Sequence, residues 1–185
     1  MKRRLFLQVP LAATFLTLNA KTEANDRIDR GFKVDAGKDR FNQELSTFGG
    51  TFTRKVSSKD TNGDLCMYDT VRKEKGGPGL HYHHDQDEWF YVIRGEFLFQ
   101  VGDQKFTLKA GESAFGPRKI PHAFARTSEE EGQMLVMFQP AGTMEDFFME
   151  ASKISVGISK DFEREFTALS RKHGMEVVGP PLKYK

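Results

Sequence analysis

Between Gly76 and Gly95 the chain reads GGPGLHYHHDQDEWFYVIRG, and the spacing of its histidines and its glutamate decides how the rest is interpreted. His81 and His83 are two residues apart, so on a β-strand both imidazoles point to the same face. Glu88 follows a short polar segment, which predicts a chain reversal and a second strand that brings the carboxylate back beside them. The stretch therefore predicts two strands with three metal-ligating side chains in one place.

A second stretch, residues 111–126, reads GESAFGPRKIPHAFAR and supplies a fourth candidate ligand. Gly111 and Pro117 frame a turn, and Pro121 precedes His122 at the start of another strand. Three neutral imidazoles and one carboxylate suit a first-row divalent ion. We therefore predict one divalent transition metal (manganese, iron, cobalt, nickel, copper or zinc), and no other cofactor, bound by His81, His83, Glu88 and His122.

The first stretch resembles the first motif of the cupin superfamily. That motif is glycine, five residues, His-x-His, three or four residues, glutamate, six residues and glycine. His81, His83, Glu88 and Gly95 match it, and the opening glycine falls one residue late, at Gly76. The resemblance implies a jelly-roll barrel that binds one metal ion.

The second stretch is similar to the second cupin motif, with two departures. Gly111, Pro117 and His122 match. Lys119 replaces a glycine, so the turn there must avoid positive φ or carry a strain cost. Arg126 replaces an asparagine, and neither change touches a ligand. The two motifs span roughly 50 of the 185 residues, and strand-like flanks extend the resemblance to residues 45–140.

Short alternating runs separated by Gly, Asp and Asn indicate an all-β sandwich or barrel up to Pro140, and helical spacing follows. With the resemblance, the expected fold is an all-β cupin jelly-roll barrel with C-terminal helices. Thr143 and Asp146 predict a capping box for a first helix, and a second is expected near residues 159–173. The expected organisation is an export signal (1–24), an N-terminal extension (25–44), the barrel (45–140) and a C-terminal helical extension (141–185), with residues 177–185 extended.

Composition excludes two classes of function. The formal charge is +2, and without residues 1–20 the chain has 25 basic and 26 acidic side chains, a net charge of −1. No basic face for nucleic acid is expected. Cys66 is the only cysteine, so no intrachain disulfide and no thiolate metal cluster can form.

The N-terminus predicts export. Lys2, Arg3 and Arg4 precede an apolar run at residues 9–18 that is too short to span a bilayer. The arrangement of Arg3, Arg4, Phe6 and Leu7 resembles a twin-arginine signal. We expect a periplasmic or secreted protein with no stable membrane insertion after signal removal. The alternative is an amphipathic tail or first strand.

An apolar pocket is expected around the metal. Alternation places Phe90 and Val92 on the Glu88 face, and Trp89 and Tyr91 on the opposite face. The alternative for each residue is ordinary core packing. The expected pocket residues are Phe90, Val92, Phe97, Phe99, Phe115, Phe124 and Met137.

Among cupins the ligand arrangement looks like that of quercetin dioxygenase-like proteins. That resemblance implies a dioxygenase for a flavonol-like or other enol substrate, in which the metal binds the enol oxygen and Glu88 is also the catalytic base. One alternative is an exported metal-containing cupin that binds or stores a small molecule without catalysis. A sugar isomerase or epimerase is another, and it would need a more polar pocket. A homodimer is expected from the resemblance and from the apolar C-terminal helices.

Overall fold

The structure is a computed structural model that describes residues 27–154 and 160–184. Within those ranges the chain forms eleven strands and two helices, α1 (Met144–Ala151) and α2 (Lys160–Lys172). The strands are β1 (Leu45–Thr47), β2 (Gly50–Val56), β3 (Cys66–Arg72), β4 (Gly79–His83), β5 (Asp87–Arg94), β6 (Glu96–Val101), β7 (Gln104–Lys109), β8 (Ser113–Gly116), β9 (His122–Arg126), β10 (Gly132–Gln139) and β11 (Met175–Pro181).

Two antiparallel sheets form the barrel. One has the strand order β1-β2-β3-β10-β5-β8, and the other β11-β4-β9-β6-β7. At the centre of the first sheet, Val136 on β10 is aligned with Tyr68 on β3 and with Phe90 on β5, and all three side chains are buried. Their apolar alternation explains why this face becomes the core. The predicted all-β jelly-roll barrel with C-terminal helices is confirmed.

Two tight chain reversals join consecutive strands of the barrel. Gly102 and Asp103 join β6 to β7 as a tight hairpin. Gly95 joins β5 to β6 with φ at +81°. A Cβ atom at Gly95 would lie 2.9 Å from Ser128 Oγ and 3.0 Å from Gly132 Cα. Both the backbone angle and the crowding therefore require glycine at this turn.

Helix α1 begins differently from the prediction. Thr143 is its N-cap residue, but no side-chain hydrogen bond caps the helix, so the predicted capping box with Asp146 is wrong. Glu145 in the first turn holds the helix instead. Its carboxylate accepts hydrogen bonds from Ser58 N at 2.6 Å and from Arg54 Nη1 at 3.0 Å. A buried ion pair thus replaces the missing cap.

The two helices cover one side of the barrel. Helix α1 packs on β1 and α2 packs on β11, the edge strands of the two sheets, and the helices contact each other. The ring centroids of Phe48 and Phe166 are 4.9 Å apart, and those of Phe48 and Phe147 are 6.1 Å apart. This aromatic contact closes the space between the two edges.

The C-terminal segment corrects the predicted organisation, because residues 141–185 are not only helical. Strand β11 pairs with β4, and Val177 on β11 is aligned with His81. The extended conformation expected from residue 177 onward therefore belongs to the barrel's second sheet. No alternating pattern marks this strand in the sequence, because Gly179 and Pro180 interrupt its alternation.

Some predictions remain untested. The export signal at residues 1–24 and the start of the extension at 25–26 lie outside the described residues. No helix in ranges 27–154 and 160–184 is both long and apolar enough to cross a membrane. The export route and the homodimer stay predictions.

Candidate metal centre

Four side chains meet inside the barrel. One potential ligand atom each from His81, His83, Glu88 and His122 lies within 4.8 Å of the other three. Glu88 Oε2 is 2.8 Å from His122 Nε2, 3.1 Å from His83 Nε2 and 4.0 Å from His81 Nε2. The structure thus brings together the whole predicted ligand set around one point.

Strand pairing explains this convergence. His81 on β4 is aligned with His122 on β9, which joins the two histidine motifs across one ladder of the second sheet. Glu88 on β5 is aligned with Gly116 on β8 and approaches from the first sheet. A Cβ atom at Gly116 would lie 3.1 Å from His122 Nδ1, so the absence of a side chain there leaves room for the imidazole.

Backbone carbonyls fix two of the imidazoles. His81 Nδ1 lies 2.8 Å from the carbonyl oxygen of Gly79, and His122 Nδ1 lies 2.9 Å from that of Ile120. A carbonyl can only accept, so each Nδ1 donates and each Nε2 faces the centre. Such outer contacts orient histidine ligands in metal sites. His83 Nδ1 has no hydrogen-bond partner in the described part of the chain.

The electrostatics of the four groups are those of a site prepared for a cation. Burial, together with the neighbouring His122 and His83, lowers the pKa of His81 to about 3, so this imidazole is neutral at physiological pH. Burial alone would raise the pKa of Glu88, but hydrogen bonds from His122 and His83 keep it well below the ordinary value. Burial opposes protonation of His122, and Glu88 overcomes this and raises its pKa. Three nitrogens and a carboxylate fit a first-row divalent metal, and this donor set can hold one.

The turn before His122 shows what the departure at Lys119 costs. Lys119 adopts φ of +66°, the left-handed conformation that the glycine of the family motif would adopt freely. Its backbone N–H donates to the carbonyl of His83 at 2.7 Å, which ties the turn to a ligand strand. Next to it, the guanidinium of Arg118 pairs with Asp87 at 2.6 Å. The turn therefore keeps its strained shape because it is bonded to the strands that carry the ligands.

A cavity of about 60 Å³ lies beside the centre. His81, His83 and Glu88 contribute to its wall, and Arg72 and Ser170 are its other polar residues. This volume holds a few water molecules. Its aromatic wall consists of Phe48, Phe52, Phe124, Phe138, Phe147, Phe148 and Phe166.

The predicted pocket residues divide into three groups. Phe124 lines the cavity. Phe90, Val92, Phe97 and Phe99 are buried inside the barrel and pack as core, the alternative noted for each of them. The inward placement of Phe115 and Met137 is wrong.

Phe115 and Met137 lie on the outer face of the first sheet. Phe115 is 41% exposed, and its ring is 4.5 Å from that of Trp89, as measured between centroids. Met137 is aligned with Trp89 on the neighbouring strand. The space around His122 and the packing of the core decide which alternate residues of these strands face inward. The inward-facing residues are Ala114, Gly116, Val136 and Phe138.

Sequence reasoning missed most of the cavity wall. The phenylalanines of α1 and α2 come from outside the barrel segment, and only the packing of the helices on the barrel brings them there. Arg72 ends a strand whose alternation does mark it as inward-facing, together with Cys66, Tyr68 and Thr70. That periodicity was the available signal for a buried guanidinium.

Comparison with known sequences agrees with the motifs. The cupin domain family matches residues 69–138. Over 67 residues the chain is 28% identical to an uncharacterised protein of Methanocaldococcus jannaschii, covering 36% of this chain and 54% of that protein. Over 67 residues it is 33% identical to 3-hydroxyanthranilate 3,4-dioxygenase of Xanthomonas euvesicatoria pv. vesicatoria, covering 32% of this chain and 38% of that enzyme. The chain thus spans about half or less of the length of these curated relatives.

Comparison with solved structures concerns the fold. An RmlC-like cupin from Shewanella frigidimarina is 24% identical, with a TM-score of 0.51, and the match covers 64% of this chain and 96% of that one. At this identity the likeness is evidence for the barrel alone. Taken with the matched domain and the two motifs that meet at His81 and His122, it makes this chain a member of the cupin superfamily.

Proposed function

We propose that this cupin is a metal-dependent dioxygenase that acts on a phenolic or enolic substrate. The observation that carries the proposal is the set of three imidazoles and one carboxylate at the wall of an apolar cavity. The 33% identity to a dioxygenase over 67 residues supports this class of reaction. In a dioxygenation both atoms of O₂ enter the product and the substrate supplies the electrons, so no external reductant is needed.

The residues have distinct roles in this proposal. His81, His83, Glu88 and His122 would hold the metal. When bound, the metal supplies Lewis acidity toward the substrate oxygen and redox exchange with dioxygen. Glu88 is ionised at neutral pH, and its Oε2 is the proposed acceptor of the proton that the substrate hydroxyl gives up. Its lowered pKa makes it a weak base, so the Lewis acidity of the metal would also have to lower the pKa of that hydroxyl. The phenylalanine wall excludes water from the reacting atoms.

The cavity restricts the substrate. About 60 Å³ is far below the roughly 300 Å³ or more that pockets for drug-sized ligands occupy. A substrate with a single ring needs the surrounding phenylalanines to shift, whereas a flavonol with three rings needs the helices themselves to move away. We therefore favour a single-ring phenol or enol over a flavonol.

The cavity wall also separates the two alternative functions. A sugar isomerase needs several polar groups to recognise hydroxyls, and beyond the metal ligands this cavity offers Arg72 and Ser170. A protein that binds or stores its ligand without catalysis would use the same metal centre. Turnover is the property that distinguishes it from a dioxygenase.

The test uses purified protein stripped of metal and reloaded separately with Fe(II), Mn(II), Co(II), Ni(II), Cu(II) or Zn(II). Oxygen uptake is followed with an electrode over a panel of 3-hydroxyanthranilate, catechols, single-ring enols and flavonols. We expect one metal per chain, uptake with at least one redox-active metal, none with zinc, and a preference for single-ring substrates.

Glu88→Gln tests the proposed base. The variant retains the oxygen ligand and loses the proton acceptor, so we expect bound metal with oxygen uptake reduced by at least about 100-fold. Asp85→Asn, an exposed change in the preceding turn, is the matched control and should behave like the wild type. Unchanged turnover in Glu88→Gln would remove the base role. Stoichiometric metal without uptake on any substrate would favour the binding protein.

A further inference from the structure

Arg72 is a buried cation at the wall of the metal cavity. It is the last residue of β3, it is 3% exposed, and its side chain lines the same cavity as His81 and Glu88. The guanidinium carbon lies 5.3 Å from the ring centroid of Phe124.

The protein only partly satisfies this guanidinium. Nη2 donates to the carbonyl oxygen of Phe48, and Nε has no hydrogen-bond partner among the described residues. Within ranges 27–154 and 160–184 no carboxylate forms an ion pair with Arg72, and the exposed Glu74 acts on it only at longer range. Burial, with repulsion from Arg126, lowers the pKa of Arg72 to about 10, and it remains charged at physiological pH.

Two other buried arginines show how this chain normally treats such a charge. Arg54 pairs with Asp39 and Glu145, although its Nε also has no hydrogen-bond partner among the described residues. Arg126 donates to the carbonyls of Lys73, Glu74, Ser128 and Glu130. In the described part of the chain, Arg72 has neither a carboxylate nor a set of carbonyls as partners. An uncompensated buried charge is costly, and its planar fork of donors matches a carboxylate.

The position of Arg72 sets the shape of a ligand that would reach both polar ends of the cavity. Glu88 is aligned with Phe138 on β10 and Arg72 with Gly132, so their Cα atoms are about 20 Å apart along that strand. Both side chains extend to the same cavity, which shortens the distance between their polar atoms. A ligand that contacts both groups is elongated, with an oxygen at one end and an anion at the other.

We propose that Arg72 binds the carboxylate of the substrate, and that the substrate is an elongated aromatic acid with its phenolic or enolic oxygen at the metal ligands. This inference rests on the proposed function only for the oxygen-bearing end. Arg72 is thus a specificity-determining residue that selects an acid over its neutral analogues.

The experiment measures binding without turnover. Zinc-loaded protein, which cannot exchange electrons with dioxygen, is titrated by calorimetry with 4-hydroxycinnamate and with its neutral isostere 4-hydroxycinnamamide. We expect the wild type to bind the acid at least tenfold more tightly than the amide. In Arg72→Met the affinity for the acid should fall about 10- to 100-fold and that for the amide should stay the same, because one charge-assisted contact is lost.

Further variants separate binding from structure. Arg72→Lys keeps the charge and loses the planar fork, so we expect it to recover part of the affinity for the acid. Arg94→Met removes an exposed arginine at the same end of the first sheet and should bind both compounds like the wild type. Zinc content and circular dichroism report on folding of each variant.

The inference fails if the wild type binds the acid no more tightly than the amide, or if Arg72→Met and Arg72→Lys both keep the wild-type preference. Oxygen uptake by the redox-active forms is measured separately. Selection of the acid through Arg72 without oxygen uptake would leave this inference standing and remove the dioxygenase.

Discussion

Arg54 and Arg72 are both 3% exposed, yet the protein surrounds them differently. Burial lowers the pKa of Arg54, but Tyr68, Glu145 and Asp39 more than offset this and raise it. Burial also lowers the pKa of Arg72, and no carboxylate of the described chain pairs with it, so its pKa stays lowered. The two arginines thus mark two regions. In the corner, formed by Arg54, Asp39 and Glu145, buried charges are paired within the protein. In the barrel interior, at the cavity that Arg72 lines, they are not.

The difference separates residues that hold the fold from residues that hold a ligand. At the corner, Arg54 joins the segment before β1, through Asp39, to helix α1, through Glu145. In the interior, Arg72 has no carboxylate partner among the described residues, and His83 Nδ1 has no hydrogen-bond partner there. Groups left in this way cost stability and are free to bind something else. Substitutions at the corner should therefore act on stability, and those in the interior on binding.

The largest effect is expected at the corner. Arg54→Met leaves Asp39 and Glu145 buried without their cation, so we expect the free energy of unfolding to fall by about 3–5 kcal/mol. Urea denaturation followed by circular dichroism measures it. Arg94→Met, in an exposed pair with Glu131, should cost less than about 1 kcal/mol. Equal losses in the two variants would remove the contrast between the regions.

The next effect concerns the metal. Gly116→Ala places a methyl group 3.1 Å from His122 Nδ1 and forces the imidazole to move. We expect zinc affinity to fall about 10- to 100-fold, as when a contact that orients a ligand is disturbed. Competition with a chromophoric chelator measures the affinity. Gly31→Ala is the control, because no atom of the described residues lies within 4 Å of the new methyl group. Wild-type affinity in Gly116→Ala would show that the imidazole does not depend on this space.

Acid should weaken metal binding in a defined direction. His122 has a raised pKa, so it holds its proton at a higher pH than an ordinary histidine, and the metal must displace that proton from Nε2. Below that pKa, zinc affinity should fall about tenfold for each pH unit, and each metal bound should release a proton. Calorimetry in buffers of different ionisation enthalpy counts the protons. Binding without proton release at mildly acidic pH would contradict the state assigned to His122.

The smallest effect on stability is expected at Arg72. Arg72→Met removes an uncompensated buried charge and one hydrogen bond to Phe48, and these changes oppose each other. We expect the free energy of unfolding to stay within about 1 kcal/mol of the wild type. The same urea experiment measures it. A loss as large as that of Arg54→Met would make Arg72 part of the fold rather than of the binding site.

The sequence predicted the metal ligands well because their information is local. Two histidines two residues apart on a strand must share one face. The spacing to Glu88 and the turn before His122 then predict the other two ligands. Which residues of β8 and β10 face inward is not determined by neighbouring residues in the sequence. Phe115 and Met137 are apolar residues that could face either side of the sheet, so their chemistry does not decide between the two. Only the need for space beside His122 decides that Gly116 faces inward.

The cavity wall was the least predictable part. Phe48, Phe147 and Phe166 reach the cavity through contacts between segments far apart in the chain. The periodicity of these segments predicts an apolar face, but it does not predict which part of the barrel that face packs against. The unpaired charge of Arg72 was also not predictable, because the alternation of β3 shows that its side chain faces inward but not that it lacks a counterion.

The pairing of β11 with β4 bears on the order in which a nascent chain can assemble. The strand with His81 and His83 lies between β9, formed about 40 residues later, and β11, formed about 95 residues later. During synthesis, all four ligands have left the ribosome well before the strand that flanks two of them. Early metal capture would therefore occur on an open barrel edge, and β11 would close over a centre already filled.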